Sequence, residues 1–552
     1  MMRRRWQAVF TVVLVSTMLA TVSPIAAQDD ATGELEWAVT IPRTAGGTTT
    51  PRGFAVDEAA GEIVAILNVD GSVTFGGGDV AEATYTTGTY ALRISLEGEL
   101  RSVIALDAAA ERLTITDDGD LLVTSEDRTL ARVAPDGTVR WERRIEGLRA
   151  PIAVELTDGT IALAARFTGT IVLGEGEDTE TSLTHEGSPL GSAFVAWLTP
   201  DGTLVDTDLW ADVSDVTVAA GPDGGVRVLG VAASTVTIGE GAAETTIEVV
   251  QEDTRIVQDA ILGSYNSARE LDWGVGTGVS FSGDVLDLAT SDDGASVLWL
   301  STNREIVMGE GTDAEATAEI LIDDGFGDDH LLARYSAAGD FEWVHVIGSA
   351  EAGEEEYRSL GVRPSGEIIV SGDVGPGSVT FGADEPTQEL GDQSRLGVAV
   401  YQPDGSLVWT TGYGSEDFDV SWGSELLADG DAIVFAITSG PTSFGFPPDE
   451  TPVADDDSWL VARLDGFTPP PPTTTTTTTV APTTTEPPSD DPEPTDDGTL
   501  APDDGAAEPA ADATSDDGDG GAGGAIVIVV VALIALGGGY LLIRGRRPTT
   551  GT

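Results

Sequence analysis

The sequence predicts an all-β fold, a seven-bladed β-propeller, and three recurring patterns predict it. The first is an apolar run that meets a turn glycine and continues apolar. It occurs at Gly61, Gly119, Gly159, Gly224, Gly294, Gly366 and Gly430, and five of these glycines follow Asp. Alternating apolar residues on either side of Asp-Gly read as a tight hairpin. The glycines are 58 to 72 residues apart, except for one gap of 40, a long period that marks a repeat architecture.

The second pattern is a β-branched pair closing on glycine. It appears in six copies, among them Val73-Thr74-Phe75-Gly76, Ile171-Val172-Leu173-Gly174 and Val236-Thr237-Ile238-Gly239. The unit around Gly119 lacks it, which accounts for the short gap. The third pattern is a strand holding Ala, a turn, and a strand that closes on Trp. Trp37, Trp141, Trp273, Trp343 and Trp409 take that place, while Ser102 and Asp206 stand there in two units.

The two ends of the repeat region complement each other. Gly33-Glu34-Leu35-Glu36-Trp37 is the second half of the third pattern, and Trp459 to Gly466 is its first half. Pairing Glu34–Val39 with Trp459–Leu464 would complete the last unit and close the ring, removing free sheet edges. An open β-solenoid is the alternative, but its ends would not complement.

The segments outside the ring read in order. Arg3, Arg4 and Arg5, an apolar run from Trp6 to about Ala20 and small residues ending at Ala26-Ala27 form the pattern of a signal peptide, residues 1–27. A first membrane span is the alternative reading. The propeller ectodomain is expected over 28–467. Residues 468–524 run from Pro469–Pro472 through seven threonines into an Asp-Pro-Gly-Ala mixture, with 13 acidic residues and no basic one. Such a composition buries too little apolar surface to offset chain entropy, so a disordered, extended stalk is expected. Its threonine run suits O-glycosylation. Ala525–Ile543 is 19 residues without a charge, about 28 Å as a helix at ~1.5 Å per residue, enough for one transmembrane crossing. Arg544, Arg546 and Arg547 follow, placing the tail 544–552 in the cytoplasm and the remainder outside the cell membrane. A processed sorting or lipid-anchor tail is the other reading of this end.

The 94 acidic residues outnumber the 27 basic ones, all arginine, for a formal net charge of −67. A field of that sign repels polyphosphate backbones, so no nucleic acid is expected as partner. Solubility, salt adaptation and coding bias are the ordinary account of the charge; attraction of divalent cations or basic partners is the functional one. With no cysteine, disulfides, thiolate metal sites and thiol nucleophiles are excluded.

Ala193-Phe194-Val195-Ala196-Trp197-Leu198-Thr199-Pro200-Asp201-Gly202-Thr203-Leu204, with the β-branched-Gly pattern upstream, resembles the SBBP-type bacterial β-propeller repeat of secreted and cell-surface proteins. The similarity spans about Glu34 to Leu464. It implies a propeller at the cell surface and brings no catalytic residue with it.

The residues that carry chemistry are sparse. His185, His330 and His345 are the only histidines, and none stands at metal-ligand spacing from another. His345 reads as a strand residue and His185 as part of a polar insertion. His330, after Asp328-Asp329, is the most suggestive. The acidic run Asp323-Asp324-Gly325-Phe326-Gly327-Asp328-Asp329 is the densest calcium candidate, but lacks the alternating ligand spacing of an Asp-rich loop. Ser291-Asp292-Asp293-Gly294 falls one residue short of a sialidase-type turn. The blade-closing tryptophans suggest a quinone-docking motif or packing between blades; their fixed place in each unit favours packing. No catalytic, cofactor-binding or metal residue is assigned, and no cofactor is expected.

The function expected is therefore non-enzymatic: a binding or adhesion module held off the membrane, with an unknown protein or polysaccharide of the cell envelope as ligand. The polar insertions 174–190 and 239–258 are the first places to look for contacts. An envelope scaffold or sensor for a partner membrane protein is the alternative. A polysaccharide-acting enzyme is a third, requiring a pair of carboxylates that converge in the central channel.

Overall fold

In the computed structural model, described residues lie between 34 and 466, all in the first of two units into which the chain divides (1–474 and 475–552). Within that span 43–47, 78–79, 107–109, 126–127, 186–190, 233, 240–243, 250–257, 279–285, 303–305, 310–313, 319–328, 350–356, 375–377, 383–387, 390–394, 415–419, 439–442 and 445–457 are not described. The expected signal peptide, stalk, membrane segment and tail, and most of the acidic run at 323–329, lie outside the described residues. Among the described residues no helix is long and apolar enough to cross a membrane.

The chain folds as a seven-bladed propeller of antiparallel four-stranded sheets. Blade 1 is Thr48–Asp57, Glu62–Gly77, Val80–Ser95 and Leu100–Leu106; blade 2 is Arg112–Ile115, Leu121–Thr124, Thr129–Val133 and Val139–Arg144. Blade 3 is Leu148–Glu155, Ile161–Phe167, Ser192–Leu198 and Leu204–Trp210; blade 4 is Val213–Ala220, Val226–Ala232, Asp259–Tyr265 and Leu271–Gly276. Blade 5 is Leu286–Thr290, Ser296–Thr302, Asp329–Tyr335 and Phe341–Ser349; blade 6 is Tyr357–Val362, Ile368–Val374, Arg395–Tyr401 and Leu407–Gly414. Blade 7 combines Val420–Leu426, Ala432–Thr438 and Ser458–Leu464 with the first strand of the chain, Leu35–Pro42. That closing strand pairs Val39 with Val461 and Ile41 with Trp459. The first strand of each blade touches its counterpart in the next, from blade 1 round to blade 7 and back to blade 1, so these seven form the inner ring. The seven turn glycines all have positive φ, from 65° to 101°, which explains the choice of glycine.

The second sequence pattern builds a small hairpin between the second and third strands. In blade 3 it is Thr170–Leu173 with Thr181–Thr184, in blade 4 Val236–Ile238 with Thr245–Ile247, and in blade 5 Ile306–Met308 with Ala316–Ala318. Its alternate apolar residues turn inward: Ile171, Leu173, Val236, Ile238, Ile306 and Met308 are all buried. The hairpin also reaches the preceding blade. Val379 and Thr380 pair with Ser349 and Gly348, and Ser443 and Phe444 with Gly414 and Tyr413. The insertions expected to be recognition loops are thus, in their described parts, clasps between neighbouring outer strands. Blade 2 has no such clasp.

The tryptophans of the third pattern join blades. Trp37, Trp141, Trp273 and Trp343 donate their indole N–H to Leu96 O, Pro200 O, Ala337 O and Pro403 O of the next blade, at 3.0, 2.9, 2.9 and 3.1 Å. Each ring lies over the glycine of the same turn. A Cβ on Gly98, Gly202, Gly339 or Gly405 would stand 2.8–3.0 Å from indole carbons, so the residue must be glycine for steric reasons as well as for its φ. The exception is instructive. Asp206 replaces Trp in blade 3, and the facing turn in blade 4 carries Arg269 at φ 69° in place of glycine, 3.5 Å from Asp206. The last junction differs for another reason. Blade 7 takes its outer strand from the other end of the chain and has no turn there, and among the described residues the buried indole N–H of Trp409 finds no partner.

Trp343→Phe and Trp409→Phe remove similar ring volume, but only the first breaks a hydrogen bond. Chemical denaturation is expected to show Trp343→Phe more destabilising by about 1 kcal/mol; equal losses would mean that the indole bond contributes nothing.

Candidate functional site

The central channel is where the fold brings charged residues from distant parts of the chain together. The inner strands present backbone N–H groups on their free edge, and buried polar groups there need partners. Neighbouring blades supply them. Glu425 of blade 7 accepts from Val56 N at 3.2 Å, Asp287 of blade 5 from Leu360 N at 3.2 Å, and Glu155 of blade 3 from Asp117 N at 2.8 Å. Ser359 Oγ takes Ser424 N at 2.6 Å.

Two of these carboxylates are perturbed. Glu425 keeps some contact with channel water, yet protein encloses it on all sides. That loss of solvent pushes it up to about 7, with the N–H of Val56 opposing and the charge of Glu58 adding. Asp287 is likewise pushed up by burial, to about 6, against the N–H groups of Leu288 and Leu360 and the charge of Arg112. Raised carboxylates suit acid–base work, but neither of these two is among the charges that shift the other.

Arg112, on the inner strand of blade 2, faces the same space. Enclosure lowers its affinity for the proton, and Asp287, Glu111 and Asp215 act in the opposite sense. Glu111 lies 3.7 Å from Arg52, and Asp215 is 2.9 Å from Arg166. No hydrogen bond or ion pair is made by Arg112 itself among the described residues.

The histidines do not meet. His330 is buried in the Asp329–Tyr335 strand and stacks on Trp299 with ring centroids 5.3 Å apart. Nε2 of His345 is 2.7 Å from Gly405 O in the blade 5–blade 6 junction, and Nδ1 of His185 is 2.8 Å from Ser192 Oγ at the end of the blade 3 hairpin. In blades 2, 5 and 7 acidic turn residues are held by an arginine of the third strand of their blade. Arg132 reaches Asp118 and Asp120, each at 2.7 Å, and Arg334 reaches Asp293 at 2.7 Å. Arg463 reaches Asp429 at 2.6 Å and Asp431 at 2.5 Å. Among the described residues no group of three or more metal-ligating side chains converges. Sequence reasoning passed over Glu425, Asp287 and Arg112, each of which is a single charge in a β-strand with no local pattern around it.

No protein-family model matches the chain, and no curated protein matches it. Solved structures that resemble it include the Dos1 propeller (8% identity, TM-score 0.37, 78% of this chain and 95% of the other). BamB from Moraxella catarrhalis is a second (13%, 0.30, 82% and 100%). Virginiamycin B lyase from Staphylococcus aureus is a third (11%, 0.26, 55% and 96%). At these scores the likenesses carry no argument about function.

The raised carboxylates set a pH dependence. A carboxyl whose folded value exceeds its unfolded one favours the fold fully below the unfolded value and loses that contribution as pH rises through the folded one. For Glu425 the window runs from 4.5 to about 7, and for Asp287 from 3.8 to about 6. Glu425→Gln keeps an acceptor for Val56 N without the charge. It should match the parent near pH 4.5 and exceed it in stability by about 1–2 kcal/mol at pH 8, after discount for channel water. Parallel thermal melts across that range that showed a constant difference would contradict this account of Glu425.

Proposed function

We propose that this protein is a non-catalytic binding module of the cell surface, a propeller of the SBBP type. In this reading residues 28–467 form the ectodomain, 468–524 a stalk and 525–543 the membrane anchor. The observation that carries it is the commitment of the chemically suggestive side chains to the ring itself. Glu425 and Asp287 cap backbone N–H groups of neighbouring blades, and the turn aspartates of blades 2, 5 and 7 are neutralised by arginines. A rigid ring whose reactive groups are so occupied is suited to presenting a surface. The character of that surface favours a polar ligand. The only large hydrophobic residue counted as exposed among the described residues is Val172, whereas protein-binding patches centre on aromatic and aliphatic anchors. Envelope polysaccharide is therefore favoured over a protein partner.

The ectodomain 28–467 contains both halves of the closing blade, and it is expected to be retained by the polysaccharide fraction of the cell envelope in a pull-down. Release by a chelator would add a metal requirement. Capture of one specific protein, with no polysaccharide binding, would replace adhesion with the scaffold reading.

A further inference from the structure

Seven of the chain's 27 basic residues fall within residues 112–149, beside eight acidic ones, so this stretch is close to neutral in a chain of formal net charge −67. The topology gives several of them a common face. Inner strands begin on the face of the ring that also carries the turns between second and third strands. Arg112 opens the inner strand of blade 2, and Arg149 is the second residue of that of blade 3. Arg166 stands directly opposite Arg149 in the ladder. Arg128 occupies the short turn of blade 2, where other blades carry a hairpin clasp. The clasp-bearing segments are acidic, for example Glu175, Glu177, Asp178 and Glu180 in blade 3. The missing clasp thus opens a sector close to neutral in an acidic rim.

Fold stability does not account for two of these arginines. Like charges directly opposite in a ladder are unfavourable, yet Arg149 faces Arg166. Arg166 is neutralised by Asp215 at 2.9 Å. Arg149 is exposed and has no hydrogen bond or ion pair among the described residues; Arg112, in the adjoining blade, also makes none but is partly enclosed and lies in the field of Asp287, Glu111 and Asp215. The nearby carboxylates are already engaged: Glu111 is near Arg52, Asp215 with Arg166, and Asp287 with two backbone N–H groups. Two guanidiniums therefore remain with donors to spare, and the planar fork of each can take an oxyanion in bidentate fashion.

We propose that this sector is an oxyanion-binding site in which Arg112 and Arg149 take the carboxylate or phosphate groups of an anionic envelope polysaccharide. The inference rests on the adhesion reading and names the ligand chemistry and the face that reading leaves open. Polysaccharide is preferred to an acidic protein because no apolar anchor accompanies the arginines among the described residues. The acidic remainder of the ring repels the same polymer and so orients it.

The test uses the full-length chain in detergent and three probes: an oligogalacturonate, a glycerol-phosphate polymer and poly-glutamate. One of the two polysaccharide-type probes is expected to bind, the uronate if carboxylate is the natural group and the phosphate polymer if phosphate is. Affinity should fall with added salt and at least ten-fold in the Arg112→Gln/Arg149→Gln variant. Arg101→Gln, on the opposite face, should bind as the parent does. Both arginines of the double variant are solvent-accessible, and an unchanged circular dichroism melt would show that it folds. Absence of binding by either polymer at low salt, equal affinity in the double variant, or tighter binding of poly-glutamate would each overturn the proposal. Envelope retention that survives the double substitution would sink this site and leave adhesion standing. Arginine-dependent binding of a purified polymer without envelope retention would do the reverse.

Discussion

Everything in this ring follows from the need to leave no strand edge unpaired. A four-stranded blade has two edges, and an unpaired edge invites both solvent competition and association with other chains. The outer edge left by the last three strands of blade 7 is covered by a segment far away in sequence, Leu35–Pro42, hydrogen-bonded to Ser458–Leu464. The inner edges cannot be paired in that way because they face the channel. Side chains of a neighbouring blade cap them instead, and two of those caps, Glu425 and Asp287, are carboxylates whose enclosure raises their proton affinity. Closure and the unusual titration of the channel thus have one cause.

Between the edges, blades are joined by a repeated contact of one residue against one turn. The indole over the turn glycine needs both a bare Cα below it and a carbonyl in reach. At the Asp206–Arg269 junction both positions are changed at once into an ion pair, whereas Ser102 of blade 1 stands with a glycine, Gly137, kept in the turn of blade 2. The same turn carbonyls also serve arginine. Pro200 O receives Trp141 at 2.9 Å and Arg132 at 3.4 Å, while Leu96 O receives Trp37 at 3.0 Å and Arg463 at 3.1 Å. Where blade 7 lacks a turn, Trp409 keeps its packing and loses its bond. A quinone-docking role for these tryptophans finds no support in their surroundings, which are backbone turns of the adjoining blade.

The distribution of arginine gives the net charge of −67 a structure. Buried arginines such as Arg132, with carboxylates at 2.7, 2.7 and 3.0 Å, tie the turn to the third strand and to the next blade. Burying a guanidinium is tolerable only with such compensation. Arg112 and Arg149 lack it and remain accessible, which separates them from the structural arginines.

The number of blades, the hairpin turns, the tryptophan positions and the closing strand were legible in the sequence because each is a local pattern that recurs. Gly61 through Gly430 mark turns by their neighbours alone, and the half-units at Trp37 and Trp459 need only be matched to each other. The hairpin insertions were legible as strands but not as clasps, since burial of Ile238 or Met308 depends on outer strands they meet only in the folded ring. The channel was not legible at all. Glu425 and Val56 lie 369 residues apart, and no periodicity records that they meet. The sequence by itself determined the repeat and its closure, because local hydrogen-bonding and steric rules write them into every unit. Only the tertiary structure decided which charges are capped, which are paired and which stay open, because solvation and Coulomb fields depend on neighbours in space.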